Sequence, residues 1–112
     1  MIRKSMVGIL LTAALVFAVA GISCAAEFAR IGTSTVGGGF YLIGNTIAQL
    51  GNSVKNGINY TAVTGGSAKN LVVLEKKDME FGLSQSATTY EAWNGIGSFE
   101  GRPLKQIRFV TA

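Results

Sequence analysis

The sequence predicts an α/β fold with a mainly parallel sheet flanked by helices, and three observations support this class. Strand-like and helix-like runs alternate after residue 27, short loops join them, and a turn rich in glycine and hydroxyl residues follows each of the first three strands. Parallel strands need a crossover connection, which a helix between two short loops supplies. The three turns are Gly32–Tyr41, Thr64–Asn70 and Ser84–Tyr90.

Hydrophobic spacing places the individual elements. It predicts strands at 28–31, 58–63, 80–83 and 107–110, and helices at 40–52, 67–76 and 86–93. In the first helix, apolar residues at i, i+4, i+7 and i+11 predict a buried stripe made of Ile43, Ile47, Leu50 and Val54. In the second helix, Ser67 is the expected N-cap. The spacing predicts that one face of that helix carries Ala68, Leu71, Val72 and Glu75, with Leu74 beside it.

All three turns lie at strand-to-helix junctions, so a parallel sheet brings them to one edge. Ligands of such sheets bind beyond the carboxyl ends of the strands, where the free N–H groups and dipoles of helix N-termini favour an anion. We therefore predict a site for a small anionic solute at this edge. The alternative at each position is local, with hydroxyls that satisfy turn backbone and glycines that permit positive φ.

The N-terminal segment has the layout of a secretory signal peptide. Arg3 and Lys4 precede Val7–Ala20, an uncharged apolar run of fourteen residues, which is shorter than the roughly 20 apolar residues of a membrane-spanning helix. Small residues at 23–26 predict cleavage after Ala26, or one residue earlier, giving a signal peptide at 1–26 and a mature segment at 27–112. An uncleaved anchor and a lipid-modified Cys24 are the alternatives.

Composition excludes several classes of function for the mature segment. Removing Arg3 and Lys4 from the ten Lys and Arg residues leaves eight against six Asp and Glu, a net charge of +2 with no basic patch for nucleic acid. The chain has no His and one Cys, which excludes the usual zinc sites and the Ser-His and Cys-His nucleophile pairs. We predict no metal, no cofactor and no enzymatic activity.

Three motifs are specific enough to indicate a family. They are IGT-x3-GG-x-x-Y at 31–41, TGGS-x-x-NL at 64–71, and G-[IL]-x-QS at 82–86 followed by Y-x-A-x-NG-x-G-x-F-x-G-x-PL at 90–104. Over residues 31–112 the chain resembles the TAXI group of solute receptors for tripartite ATP-independent periplasmic (TRAP) transporters. The resemblance implies the first lobe of a type II periplasmic-binding-protein-like fold, incomplete without a second lobe.

The resemblance also implies a function. Such a receptor is periplasmic or otherwise extracytoplasmic, captures a small carboxylate such as glutamate or an organic acid, and delivers it to TRAP membrane permease subunits. It is expected to be monomeric when full-length. The alternatives are an exported sensory domain or enzyme on the same scaffold, or a truncated product without binding activity. The candidate ligand-binding residues are Thr33, Thr35, Gly38, Gly39, Tyr41, Thr64, Ser67, Asn70, Gln85 and Ser86.

Two features qualify this expectation. The sequence departs from the family pattern at Phe40-Tyr41-Leu42, where Tyr-Tyr-Pro is usual, at Gly39, where Thr is usual, and at Ala87, where Asp is common. These changes bear on ligand identity.

The predicted strand at 107–110 has no turn or cap after it, so we expect the N-terminal part of a longer protein. A small domain that ends on an edge strand is the alternative.

Overall fold

The alternation of strands and helices is present in a computed structural model that describes residues 26–110. The elements are β1 (Glu27–Gly32), α1 (Gly39–Ser53), β2 (Ile58–Val63), α2 (Ser67–Glu75), β3 (Phe81–Gly82), α3 (Ser86–Asn94) and a 3-10 turn at Gly97–Phe99. The first three predicted strands and all three predicted helices are confirmed, to within one residue at each end. The predicted signal peptide at 1–26, including Cys24, lies outside the described residues except for Ala26.

The three strands form one parallel sheet in the order β2-β1-β3. β1 pairs with β2 from Glu27 opposite Ile58 to Gly32 opposite Val63, and Ile31 of β1 pairs with Phe81 of β3. The predicted parallel α/β class is therefore confirmed. Because the strands are parallel, the turns that follow them all start from the same edge of the sheet.

The helices cover both faces of this sheet. Gly32 and Thr33 are neighbours in extended backbone, so their side-chain directions are opposite. A Cβ added at Gly32 would lie 2.6 Å from Oδ1 of Asn70 in α2, whereas a Cβ added at Gly44 of α1 would lie 2.2 Å from Cγ2 of Thr33. α2 therefore packs on the Gly32 side of the sheet and α1 on the Thr33 side.

The predicted buried stripe of α1 is wrong. Ile43, Ile47, Leu50 and Val54 are 43–69% exposed, and the buried residues of the helix are Gly44 and Ala48. Gly51 also faces the sheet, where an added Cβ would lie 2.6 Å from the ring of Tyr60. The small residues let the helix backbone approach the strands closely, and the large residues lie on the opposite side.

The hydrophobic core lies on the other face, between α2, α3 and the segment after α3. The buried residues of this cluster are Leu71, Ala92, Phe99, Leu104 and Ile107, with Leu74 packed against them. The predicted face of α2 is only partly buried, because Ala68 and Val72 are exposed, and the polar Asn70 is buried instead. Among residues 26–110 no helix is long and apolar enough to cross a bilayer.

The predicted fourth strand at 107–110 is also wrong, since these residues are irregular. The segment before them is held by the Glu75 carboxylate, which accepts hydrogen bonds from the main-chain N–H groups of Lys105 (3.2 Å) and Gln106 (2.9 Å). Ile107 then enters the core, and Phe109 and Val110 are exposed. A strand needs a neighbour to pair with, and residues 107–110 do not join the sheet of β1, β2 and β3.

Candidate functional site

The three predicted turns meet at the carboxyl edge of the sheet. The main-chain N–H of Gln85 donates to Oγ of Ser67 at 3.0 Å, which joins the third turn to the second. A longer contact of 3.5 Å from the Gly65 N–H to the Ser34 carbonyl joins the second turn to the first. The predicted clustering of the turns on one edge is confirmed.

The first turn leads into α1 without a capping side chain on the N-cap residue, which is Gly38. The hydroxyl of Ser34 takes that role, because its Oγ accepts the N–H of Tyr41 at 3.0 Å. Sequence reasoning did not select Ser34. The available signal was a hydroxyl in the loop ahead of a helix whose N-cap is glycine and has no acceptor of its own. Of Gly37, Gly38 and Gly39, Gly37 alone has a positive φ, of 86°.

Thr33, at the end of β1, is fully buried. Its Oγ1 donates to the carbonyl of Val63 at 2.9 Å, and its main-chain N–H donates to the same carbonyl at 2.8 Å. The hydroxyl therefore extends the pairing of β1 with β2 by one residue.

The N-cap residues of helices α2 and α3 likewise provide no capping side chain. Their N-cap residues are Gly66 and Gln85, so the predicted N-cap role of Ser67 is wrong. Ser67 is the first helical residue, and its Oγ accepts the N–H of Gln85 from the next turn. None of the three helices has an acidic residue in its first turn. The first N–H groups of each helix are thus not neutralised by a carboxylate of their own helix.

Cationic groups near the edge are few. Lys69 lies in the first turn of α2 and is exposed. Arg30 lies further down β1 and pairs with Glu80, with 3.3 Å between Nη2 and Oε1. The side-chain and main-chain hydrogen bonds from Arg30 lower the pKa of Glu80 below its ordinary value. Arg108 donates to the carbonyls of Lys105 and Ile107, so neither arginine bonds to the turns.

An open groove of about 690 Å³ runs beside β3. Its lining is largely apolar and includes Ile31, Leu71, Leu74, Met79, Phe81 and Ile107. None of the ten candidate residues lines this groove. Ser84 and Thr89 of the third turn do line it, so the groove adjoins the candidate edge on the β3 side.

The structure brings all ten candidate residues to the edge but at different depths. Two of them, Thr33 and Asn70, are buried behind it. The other eight are half-buried or exposed at its surface: Thr35, Gly38, Gly39, Tyr41, Thr64, Ser67, Gln85 and Ser86. Ligand contact at each position stays a prediction.

Comparison with known protein families shows what this chain is similar to. The model of the NMT1-like family matches residues 31–112, which is well over half of the chain. The matched range begins within β1 and includes all three turns of the candidate edge.

Proposed function

This chain belongs to the NMT1-like family, a periplasmic solute-binding family, and we propose that it captures a small carboxylate for a TRAP-type transporter. The solute would be a glutamate-like amino acid or a related organic acid, bound at the candidate edge. Extracytoplasmic solute binding is the general role of the family, which is typically non-enzymatic. To this general role the proposal adds a carboxylate as the solute and TRAP permease subunits as the partners.

One observation supports a carboxylate above other solutes. Three helices start at the same edge, and each start has neither a capping side chain on its N-cap residue nor an acidic residue in its first turn. Free N–H groups at a helix start form charge-assisted hydrogen bonds with an anion, and the helix dipoles add to the attraction. An anionic solute can therefore bind here without a buried cation.

Hydroxyl groups at the surface of the edge would supply the remaining contacts. Thr35, Thr64 and Ser86 lie exposed in the three turns, and Tyr41 is half-buried in the first turn of α1. Ser67 is half-buried and already accepts the Gln85 N–H, so its hydroxyl hydrogen is free to donate to a solute.

The exposed position of this edge suggests that the site has a second wall. We propose that residues 27–112 form the N-terminal part of the first lobe of a two-lobed receptor, whose second lobe closes over the solute. Residues 1–26 would direct export, and the full-length receptor would act as a monomer that delivers the solute to the permease.

The proposal is tested with a Tyr41→Phe/Ser67→Ala double variant. Each lost hydrogen bond to a charged group is worth about 1.5–3 kcal/mol, so the dissociation constant for the best solute should rise roughly a hundredfold or more. Calorimetric titration with glutamate, dicarboxylates and uncharged analogues would measure the change.

The matched control is Tyr60→Phe/Ser53→Ala, which removes the same groups from positions within β2 and at the end of α1, away from the edge. It should keep the parental affinity. If the Tyr41/Ser67 variant also keeps it, the turns are scaffold and the solute binds elsewhere.

A further inference from the structure

Asn70 lies where the three turns meet, and it is only 2% exposed. Its Nδ2 donates to the carbonyl of Thr33 at 2.9 Å and to the carbonyl of Leu83 at 2.8 Å. These two residues directly follow β1 and β3. A side-chain amide has two N–H donors, so both are used in holding the ends of two strands together.

Glycines of the first and second turns leave the space that this amide occupies. A Cβ added at Gly32 would lie 2.6 Å from Asn70 Oδ1, and a Cβ added at Gly65 would lie 2.2 Å from the same atom. Contacts this short are not tolerated by real side chains, so any larger residue at either position would displace the amide. The glycines of the first two turns thus make room for Asn70.

The bond from Asn70 to Thr33 also fixes the direction of the next N–H group. In a trans peptide the C=O and the following N–H point in opposite directions. With the Thr33 carbonyl turned inward to Asn70, the N–H of Ser34 points away from Asn70. Among residues 26–110 this N–H has no hydrogen-bond acceptor, and Ser34 lies in the first turn of the candidate edge.

We propose that Asn70 is a positioning residue of the edge: it orients the Thr33–Ser34 peptide so that the Ser34 N–H donates to the solute. It also holds the third turn against the first through Leu83. This inference deepens the proposed function and rests on it for the identity of the solute. Asn70 then acts through the main chain and does not contact the solute itself.

The first test uses Asn70→Asp and needs no solute. The buried carboxyl would have a raised pKa because burial and the two facing carbonyls disfavour its charged form. Below that pKa it donates one hydrogen bond, and above it none. Hydrogen exchange of the Leu83 N–H, which donates to Gly32, should therefore become about tenfold or more faster than in the parent as pH rises through the pKa.

Two comparisons separate this local effect from general destabilisation. The Leu104 N–H donates to the Ala92 carbonyl within the core cluster. The ratio of its exchange rate in the variant to that in the parent should not change with pH. Asn45→Asp, which removes an amide bonded to the Tyr41 carbonyl within α1, should show no pH-dependent change at Leu83. The positioning role would be overturned if hydrogen exchange at Leu83 and at Leu104 were accelerated equally. It would also be overturned if the ratio of variant to parent exchange rates at Leu83 did not vary with pH.

If Asn70→Asp does not fold, a second pair of variants tests the same role of Asn70. Gly65→Ala displaces the amide without removing it, whereas Gly66→Ala adds a methyl group with nothing within 4 Å. Gly65→Ala should accelerate exchange at Leu83 about tenfold, and Gly66→Ala should not. Matching behaviour of the two variants would contradict the inference.

A third experiment adds the solute and follows amide NMR chemical shifts during titration with glutamate. The Ser34 N–H signal should move in the parent and in Asn45→Asp, and should lose most of its response in Asn70→Asp above the pKa of the new carboxyl. If the parent binds glutamate without a shift at Ser34, the donor role assigned to Ser34 is refuted. A parent that binds no carboxylate contradicts the proposed function, and the exchange measurements still decide the role of Asn70.

Discussion

Gly44 and Gly51 determine how closely α1 approaches the sheet. An added Cβ at Gly44 would lie 2.2 Å from Thr33 Cγ2, and one at Gly51 would lie 2.6 Å from the Tyr60 ring. Thr33 cannot move away easily, because it is fully buried and its hydroxyl is bonded to Val63. Glycine costs helix stability in general, so its presence here reflects packing against the strands.

A Gly44→Ala variant should therefore be less stable despite the better helix propensity of alanine. Overpacking a buried contact costs about 1–3 kcal/mol, and the gain in propensity offsets up to about 1 kcal/mol. We expect a net loss of about 1–2 kcal/mol in the free energy of unfolding, measured with urea. Gly39→Ala, where nothing lies within 4 Å of the added atom, is the control and should be neutral or stabilising. An unchanged Gly44→Ala would mean that α1 can shift on the sheet.

At the scale of elements, α1 has small residues buried and large apolar residues exposed, which is the reverse of an ordinary surface helix. Its small residues face the sheet, and Ile43, Ile47, Leu50 and Val54 face outward. The whole helix, Gly39–Ser53, contains no charged residue. A contiguous exposed apolar surface without charges favours self-association.

We predict that Leu50→Lys lowers this self-association without weakening the fold. Because Leu50 is 62% exposed, the free energy of unfolding should change by about 0.5 kcal/mol or less. Size-exclusion chromatography with light scattering would measure the gain in monomer. Ala48→Lys, on the buried side of the same helix at 6% exposure, should instead lose more than about 2 kcal/mol. A Leu50→Lys variant as unstable as Ala48→Lys would show that the stripe is packed inside the folded chain.

At the scale of the molecule, the sheet is covered unequally. The buried cluster of Leu71, Ala92, Phe99, Leu104 and Ile107 lies on the α2 side, while the groove of about 690 Å³ runs beside the short β3. A chain of this size has little apolar burial to spare. We still expect the isolated segment 27–112 to be poorly stable, because among residues 26–110 no further strand covers the outer edge of β3.

Stability should then depend strongly on this buried cluster. Leu104→Ala should lower the free energy of unfolding by about 2–5 kcal/mol, since it removes buried methyl groups and leaves a cavity. Phe109→Ala, at 70% exposure, should change it by about 0.5 kcal/mol or less. Urea unfolding of both variants measures the difference. A large loss in the free energy of unfolding for Phe109→Ala would instead support the predicted strand at 107–110.

Sequence patterns alone predicted the order of the elements, the parallel sheet and the edge where the turns meet. The reason is that these features depend on local or topological constraints. Strand and helix periods are set by nearby residues, and short crossovers bring the ends of parallel strands together. The predicted bounds of α1, α2 and α3 differ from the observed ones by at most one residue.

The tertiary structure decided which face of α1 is buried, whether 107–110 pairs as a strand, and what the polar residues of the turns do. Ser67 bonds to Gln85, eighteen residues away, and Asn70 bonds to Thr33, thirty-seven residues away. A helix period identifies a stripe but not the surface it meets, and a hydroxyl or amide suits a cap, a ligand or a distant carbonyl equally well. Those choices depend on partners that become neighbours only when the chain has folded.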